Sequence, residues 1–348
     1  MASRITIFDH FMKRLAEIEA PTTPRSWVLN EYGRCEFSMS TSDPKCTETN
    51  MQFGNLVFIE HLPSRDETGT YHGKLPDWVG IILPPRTWGY GVLHVTAYAA
   101  ESILAFRAMP YVSVKGTPKT VFAQILEHAH ERAKNIIIQP GVLDDTAITC
   151  PDDLRTNAYD HIRKLIKTAG MDWNITGEID NKGELQLFAN LYLKKGIETG
   201  LVLHNNNTEL GSPLLTEQGT PSNHVFGYSQ ANTAQARFSF EALNQAAIDD
   251  YGPLQLNQVF TGMHDPASVQ NAAQNRANER GRPVKMIRRN LLDHSNAFDL
   301  IDTGNIVTVK ETNAGFKDGG MGVEERVRII SIDYNDLSNK APLNVEVI

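Results

Sequence analysis

Residues 305–310, 325–332 and 343–348 each mix apolar and polar side chains at roughly period two. That alternation belongs to antiparallel strands with one buried and one wetted face. From about Gly304 onward the strands are punctuated by Gly and Asp, as in a meander. A similar alternation occupies the first hundred residues, so two strand-rich ends bracket a middle that contains helices. The expectation is an α+β, β-rich chain whose last strand is tied into a barrel formed with earlier sequence. At 348 residues it is too long for one ordinary core and suits two or three domains.

The clearest local signal lies between 27 and 40. Cys35, Phe37 and Met39 fall on one face, and Arg34, Glu36, Ser38 and Ser40 on the other, with Asn30, Glu31, Tyr32 and Gly33 as the turn of a hairpin. Further strands are predicted at 55–60, 78–83 and 91–99, a spacing that suggests a small barrel or sandwich. Residues 13–20 fit either a short helix or a strand, and the nearby Pro21 and Pro24 favour the strand.

From Thr117 the period changes. Thr117 can cap, Pro118 suits the first helical position, and Val121, Phe122, Ile125, Leu126 and Ala129 repeat at helical intervals to about Lys134. A second helix is predicted from near Thr156, with Ala158, Tyr159, Ile162, Leu165, Ile166 and Ala169 on one stripe and Gly170 as its left-handed end. A hairpin follows, in which Trp173, Ile175 and Ile179 alternate with polar residues, turn at 180–183, and lead to Leu185, Leu187 and Leu191. The polar connection 205–223 is expected to be mobile unless a partner orders it. Asp265 and Pro266 start a last helix that carries Val269, Ala272, Ala273 and Ala277 and stops at Gly281 and Pro283. Its small side chains imply close packing on a sheet or a neighbouring subunit.

Chemistry is sparse. Hydrophobic residues make up 41% and charged residues 21%, the composition of a folded globular chain rather than a disordered one. A net charge of -8 argues against a broad nucleic-acid surface, leaving a local basic patch at Lys285, Arg288 and Arg289. No apolar run approaches a membrane span and the N-terminus lacks an apolar leader, so synthesis and folding in the cytoplasm are expected. Cys35, Cys46 and Cys150 show no zinc spacing, and neither a metal nor a cofactor is expected. His128 and His130 stand two apart on a helix, point about 200° apart and cannot chelate together, so solvated helix surface is the expectation. Asp144, Asp145, Asp152 and Asp153 offer calcium ligands or a glycosidase pair. Helix-start charge in a solvated loop is the plainer reading. Residues 315–322 are Gly-rich, yet a strand rather than a helix follows, so a hairpin tip is expected instead of a phosphate cradle. No nucleophile elbow occurs, and no catalytic, cofactor-binding or metal-binding residue is assigned.

The order of these elements resembles the tail hub, or baseplate hub, proteins of tailed phages and related contractile injection machines. The resemblance runs through the hairpin from Trp27 to Met39, then Trp78-Val79-Gly80-Ile81-Ile82, Leu93-His94-Val95-Thr96-Ala97-Tyr98 and Ser102-Ile103-Leu104-Ala105-Phe106-Arg107. It continues through the helix from Val269 to Arg280, Arg282-Pro283-Val284-Lys285-Met286, and Asp302-Thr303-Gly304-Asn305-Ile306-Val307-Thr308-Val309. What the resemblance implies is two tail-tube-like antiparallel β-barrel domains with an inserted α+β domain. Residues 1–110 would form the first barrel, 111–204 the insertion, and 205–348 the second barrel with its helix near 266–280.

The family's role would make the chain a homotrimer at the virion tail tip, adapting a hexameric tail tube to a threefold spike or fibre. Its neighbours would be a distal tail or tail-tube protein and a tape measure protein, with DNA passing through its channel unbound. Two other readings compete with this structural one. One is a tail-associated cell-wall hydrolase using some of Asp144, Asp145, Asp152 and Asp153. The other is a carbohydrate-binding tail protein whose exposed Trp and Tyr stack on sugars.

Overall fold

Alternation becomes strand throughout the first hundred residues. The computed structural model describes all residues apart from 1–2, 20–22, 63, 66–70, 132–134, 205–207, 209–213, 219–220, 230–237, 262, 264, 283, 293–296, 318–319 and 335–339. The opening strands are β1 (Ser3–Phe8), β2 (Arg14–Glu19), β3 (Arg25–Val28), β4 (Arg34–Ser40) and β5 (Leu56–His61). A two-residue pair, β6 (Ser64–Arg65) and β7 (Tyr71–His72), precedes the long hairpin β8 (Trp78–Gly89) and β9 (Val92–Ala99). The predicted face of β4 is the buried one: Cys35, Phe37 and Met39 enter a core with Ile5, Ile7 and Trp78. The ambiguous segment 13–20 is the strand β2, paired antiparallel with β1.

The middle of the chain packs against the other side of this sheet. Its elements are β10 (Val112–Gly116), α1 (Pro118–Glu131), β11 (Ile138–Leu143), β12 (Cys150–Leu154), α2 (Ala158–Ala169), β13 (Asp172–Ile179) and β14 (Leu185–Tyr192). Phe122, Ile162, Trp173 and Leu187 share one core with Phe8, Phe58, Val79 and Ile81. Strand β5 is therefore buried on both faces, Phe58 towards the helices and Val57 and Ile59 towards the first core. That explains its unbroken apolar run, which a one-faced strand would not tolerate. Helix α2 begins one residue beyond its Asn157 cap and ends at Gly170 in the left-handed conformation, φ 66°. β12 was not expected, because residues 150–154 were read as loop; it pairs with β10 from Val112↔Leu154 to Gly116↔Cys150.

The remaining elements are β15 (Glu198–Leu203), β16 (Leu214–Gln218), β17 (His224–Ser229), β18 (Ser239–Leu243), α3 (Gln245–Tyr251), β19 (Gln255–Phe260), α4 (Pro266–Arg280), β20 (Val284–Leu292), β21 (Ile306–Lys317), β22 (Gly320–Tyr334) and β23 (Lys340–Val347). The polar connection 205–223 is thus not all loop. It contains β16, which pairs with β20, and much of the rest lies outside the described residues. A small unit also appears that periodicity had not suggested, a sheet in the order β18-β17-β19 carrying α4 on its face. Asp265 caps α4 as predicted, accepting from Ser268 N at 3.0 Å. Its small residues bring it close to that sheet, with Ala272, Ala273 and Ala277 packed beside Val225 and Phe260. The predicted stop at Pro283 lies outside the described residues.

The two strand-rich ends do not form separate sheets. One sheet of thirteen strands runs β16-β20-β23-β22-β3-β4-β9-β8-β5-β1-β2, with β15 and β21 branching from β22. The branch arises because one edge of β22 changes partner along its length. Arg328 and the residues before it pair with β21, whereas Ser331 to Tyr334 pair with β3. Leu29 N bonds to Ile330 O at 2.9 Å at the changeover. The path ends at β2 and at β16, and no closed barrel is found among the described residues.

Phe122 is fully buried between α1 and the middle sheet. Phe122→Ala should lower the unfolding free energy by about 3–5 kcal/mol, measured by urea denaturation. The same truncation at exposed Leu193 should change it by less than about 0.5 kcal/mol.

Candidate functional site

Polar side chains converge where β22 changes partner. Asn30 follows β3 in a left-handed conformation, φ 64°, a geometry that Asn adopts more readily than most residues. Its side chain faces the start of β13: Nδ2 donates to Asp172 Oδ1 at 2.8 Å and Oδ1 accepts from Trp173 N at 2.9 Å. Asp172 is buried, and its second oxygen accepts from Lys195 N at 2.8 Å and from the guanidinium of Arg328. Arg328 also donates to Lys195 O at 2.8 Å and Gly304 O at 3.2 Å. Lys195 Nζ reaches Asp302 at 2.9 Å and Thr303 Oγ1 at 2.8 Å. One carboxylate therefore ties together β3, the start of β13, the backbone at Lys195 and the long strand β22. Nothing in the sequence marked this group: Asn30 read as a turn residue and Arg328 as the wetted face of a strand.

The acidic cluster is divided among separate structural duties. Asp144 accepts from Leu193 N at 2.9 Å. Asp145 is helix-start charge as expected, but for α1 rather than the following helix, accepting from Lys119 N at 3.2 Å. Asp153 lies on β12 and accepts from Ser113 Oγ at 2.6 Å. Asp152 is neither solvated nor in a loop; it is 7% exposed on β12. His161 Nδ1 stands 2.7 Å from its Oδ2, and Lys164 Nζ 2.6 Å from its Oδ1. Burial alone would raise this carboxyl, yet the hydrogen bonds from His161 and Lys164 outweigh it and hold the group below the ordinary carboxylate range.

Thr156 Oγ1 lies 3.2 Å from His161 Nε2, so a hydroxyl, an imidazole and a carboxylate stand in line. The same Nε2 accepts from Arg155 N at 3.0 Å and Thr156 N at 3.3 Å. Its lone pair is thereby committed to holding the turn before α2, and the geometry is that of a scaffold rather than a free base.

The other motifs resolve in the same way. His130 is half-buried rather than solvated surface, and its Nε2 accepts from Ile138 N at 3.1 Å, anchoring β11 to α1. Burial, with Arg107 nearby, holds its pKa below the ordinary imidazole value. His128 pairs with Glu131 at 2.8 Å. Burial pushes the Cys150 thiol up to about 11, with Asp265, Asp152 and Asp145 adding to it, which makes it a poor nucleophile. Residues 318–319 of the Gly-rich stretch lie outside the described residues, and the strands on either side pair as a hairpin with Lys317↔Gly320. In the basic patch, Arg289 is buried while Arg288 is exposed. Among the described residues no three His, Cys, Asp or Glu side chains gather as metal ligands, and no helix is long and apolar enough to cross a membrane.

What the surface offers instead is open edges and an aromatic tip. β2 pairs only with β1, and β16 only with β20, among the described residues. At the turn between β8 and β9, Trp88 is 61% exposed and Tyr90 stands clear of the body. Arg86 stacks near both Trp88 and Phe53, at 5.3 and 4.4 Å from the ring centroids.

This combination of one branching, unclosed, mainly antiparallel sheet, a helical unit on one of its faces and a small second sheet under α4 defines a fold already seen in phage tails. No protein-family model and no curated protein matches the chain by sequence. Among solved structures, prophage tail protein gp18 from Listeria monocytogenes EGD-e aligns over 99% of this chain and 94% of its own, with a TM-score of 0.57 and 14% identity. The 43 kDa tail protein of prophage MuSo2 from Shewanella oneidensis aligns over 99% and 98%, with a TM-score of 0.60 and 11% identity. A tail protein from Neisseria meningitidis MC58 aligns over 100% and 97%, with a TM-score of 0.58 and 11% identity. The chain has the fold of these tail proteins, so the resemblance in element order holds at the level of fold.

Two outcomes follow from this geometry. Asp172→Ala leaves the Arg328 guanidinium, 14% exposed, without its anion and should cost about 3–5 kcal/mol of stability, read by urea denaturation with Trp173 fluorescence as the reporter. Glu101, buried beneath β13 and accepting from Ile175 N at 2.9 Å, is pushed by burial from 4.5 up to about 7. A carboxyl raised on folding binds its proton more tightly in the native state, so its contribution is present at low pH and is lost as pH rises from 4.5 through 7. Glu101→Gln does not titrate and should gain on the wild type across that window in thermal melts; a constant difference would contradict the buried neutral carboxyl.

Proposed function

We propose that this chain is a structural protein of a phage tail tip, three copies of which close into a hub ring around a channel. The observation that carries the reading is an unclosed sheet within a fold that matches tail proteins along nearly their whole length. Exposed strand edges invite further pairing, and natural proteins cover them. A ring repeating one heterologous contact would cover the β2 side and the β16 side together.

In this reading residues 1–110 and 205–348 supply two tube-like halves of the large sheet per subunit, and the helical unit within 111–204 decorates the outside. Three copies then present six similar sheet halves to a sixfold tube and three equivalent faces to a spike or fibre. The neighbours would be a distal tail or tail-tube protein and a tape measure protein, and the location the virion tail tip. A net charge of -8 suits a channel through which DNA passes without sticking. The acidic residues 144, 145, 152 and 153 hold structural partners, which favours this role over that of a cell-wall hydrolase.

Light scattering with negative-stain microscopy tests the proposal directly. Threefold rings with a central channel, at the mass of three chains, are expected. A compact monomer at every concentration, with no threefold particles even beside a tail-tube protein, would overturn it. A second reading rests on the exposed Trp88 and Tyr90, rings of the kind that stack on sugars. It requires glycan binding by the purified protein that is lost in Trp88→Ala.

A further inference from the structure

A cleft of about 1140 Å³ opens between the C-terminal half of α2, α4, strand β19 and the end of the large sheet near Ile330. Its lining carries eight Lys or Arg side chains against five Asp or Glu, within a chain whose net charge is -8. Four of the cations are taken: Arg163 by Glu31, Lys164 by Asp152, Arg282 by Asp250 and Arg328 by Asp172. Lys167, Lys194, Arg276 and Arg280 make no side-chain hydrogen bond or ion pair among the described residues. Arg276 is partly buried at the wall, and its Nε is buried without an acceptor among the described residues. Burial, with Arg280 beside it, lowers its pKa. Glu279 and Glu346 are the carboxylates closest in charge to this group. Glu279 acts on Arg276, and Glu346 on Arg280 and Lys194, so two carboxylates face four cations.

Strand β19 also lines the cleft, through Gln258, Val259 and Phe260. It pairs only with β17, in parallel register, so its other edge has no strand partner among the described residues. Val259, 49% exposed, offers an apolar contact at that edge.

We propose that this cleft binds an extended, net acidic segment of another polypeptide, which adds as a strand to the open edge of β19. Its carboxylates would meet Lys167, Lys194, Arg276 and Arg280. Main-chain pairing supplies affinity, and alternate side chains supply selectivity, as in other cases of strand addition. Nucleic acid fits less well: the one aromatic in the cleft, Phe260, is 4% exposed and gives no surface for base stacking, whereas a peptide strand can pair with the β19 edge. The inference does not depend on the ring, since the cleft is complete within one chain.

The test uses the full chain with three fluorescent probes: a short peptide alternating Glu and Val, its Lys and Val counterpart, and a thymidine oligonucleotide of similar length. Anisotropy is read at about 50 and about 300 mM salt. The acidic peptide should bind, weaken roughly tenfold or more at the higher salt, and protect the amides of residues 255–260 from hydrogen exchange. Lys167→Glu with Arg280→Glu, both exposed side chains, should reduce affinity at least about tenfold. Lys45→Glu with Lys115→Glu, remote from the cleft, should not. If the double variant melts early, Lys194→Glu alone serves in its place. Absence of acidic-peptide binding at low salt, binding indifferent to the cleft variants, or tighter binding of the oligonucleotide would each overturn the proposal.

Discussion

The Asp172 carboxylate is the interaction on which the rest of the architecture hangs. A strand that changes partner along one edge risks unpaired backbone groups at the changeover, and buried unpaired groups are costly. Here the main chain at the changeover stays paired, Leu29 N with Ile330 O and Ile329 N with Asn305 O, and side chains brace it: Arg328 reaches Gly304 O and Lys195 O, and Asn30 bonds Asp172 and Trp173 N at the start of β13. Asp172 supplies the anion that makes the buried guanidinium tolerable. The two halves of the large sheet and the helical unit thus share one polar node rather than three independent contacts.

Around that node the layers follow from burial. β5 and β8 form a middle layer, with Phe58 and Val79 under the helices and Val57 and Ile59 in the other core. A sheet covered on both sides gives the helical unit no freedom to slide. The small β17–β19 sheet carries α4, whose Asn275 donates to Thr168 O at 2.8 Å near the end of α2.

Much of this was legible in the sequence wherever the signal was local. Cys35, Phe37 and Met39 declared their strand, Gly170 its helix end and Asp265 its cap, because each depends on neighbours within a turn or two. β12 escaped notice because its polar Asp152 is stabilised by His161 and Lys164 on the next helix, a compensation that period-two counting cannot see. β11 escaped because Pro140 and Gly141 interrupt any pattern. The junction was hidden for a further reason: Asn30, Asp172 and Arg328 are each unremarkable alone, and only the fold brings them together. Alternation also reveals a strand's faces but not which strand will lie beside it, so the one continuous sheet that joins the two ends was not legible either.

The pairing of Trp27 with Ile332 joins residues separated by roughly 300 positions. As the chain leaves the ribosome, β3 stands beside β4 with its other edge bare until residues 331–334 have emerged. The helical unit and the small α4 sheet are made in that interval and can condense locally, while the central seam must close last. Synthesis thus leaves an adhesive edge in the nascent protein, and β22 is the latch that removes it.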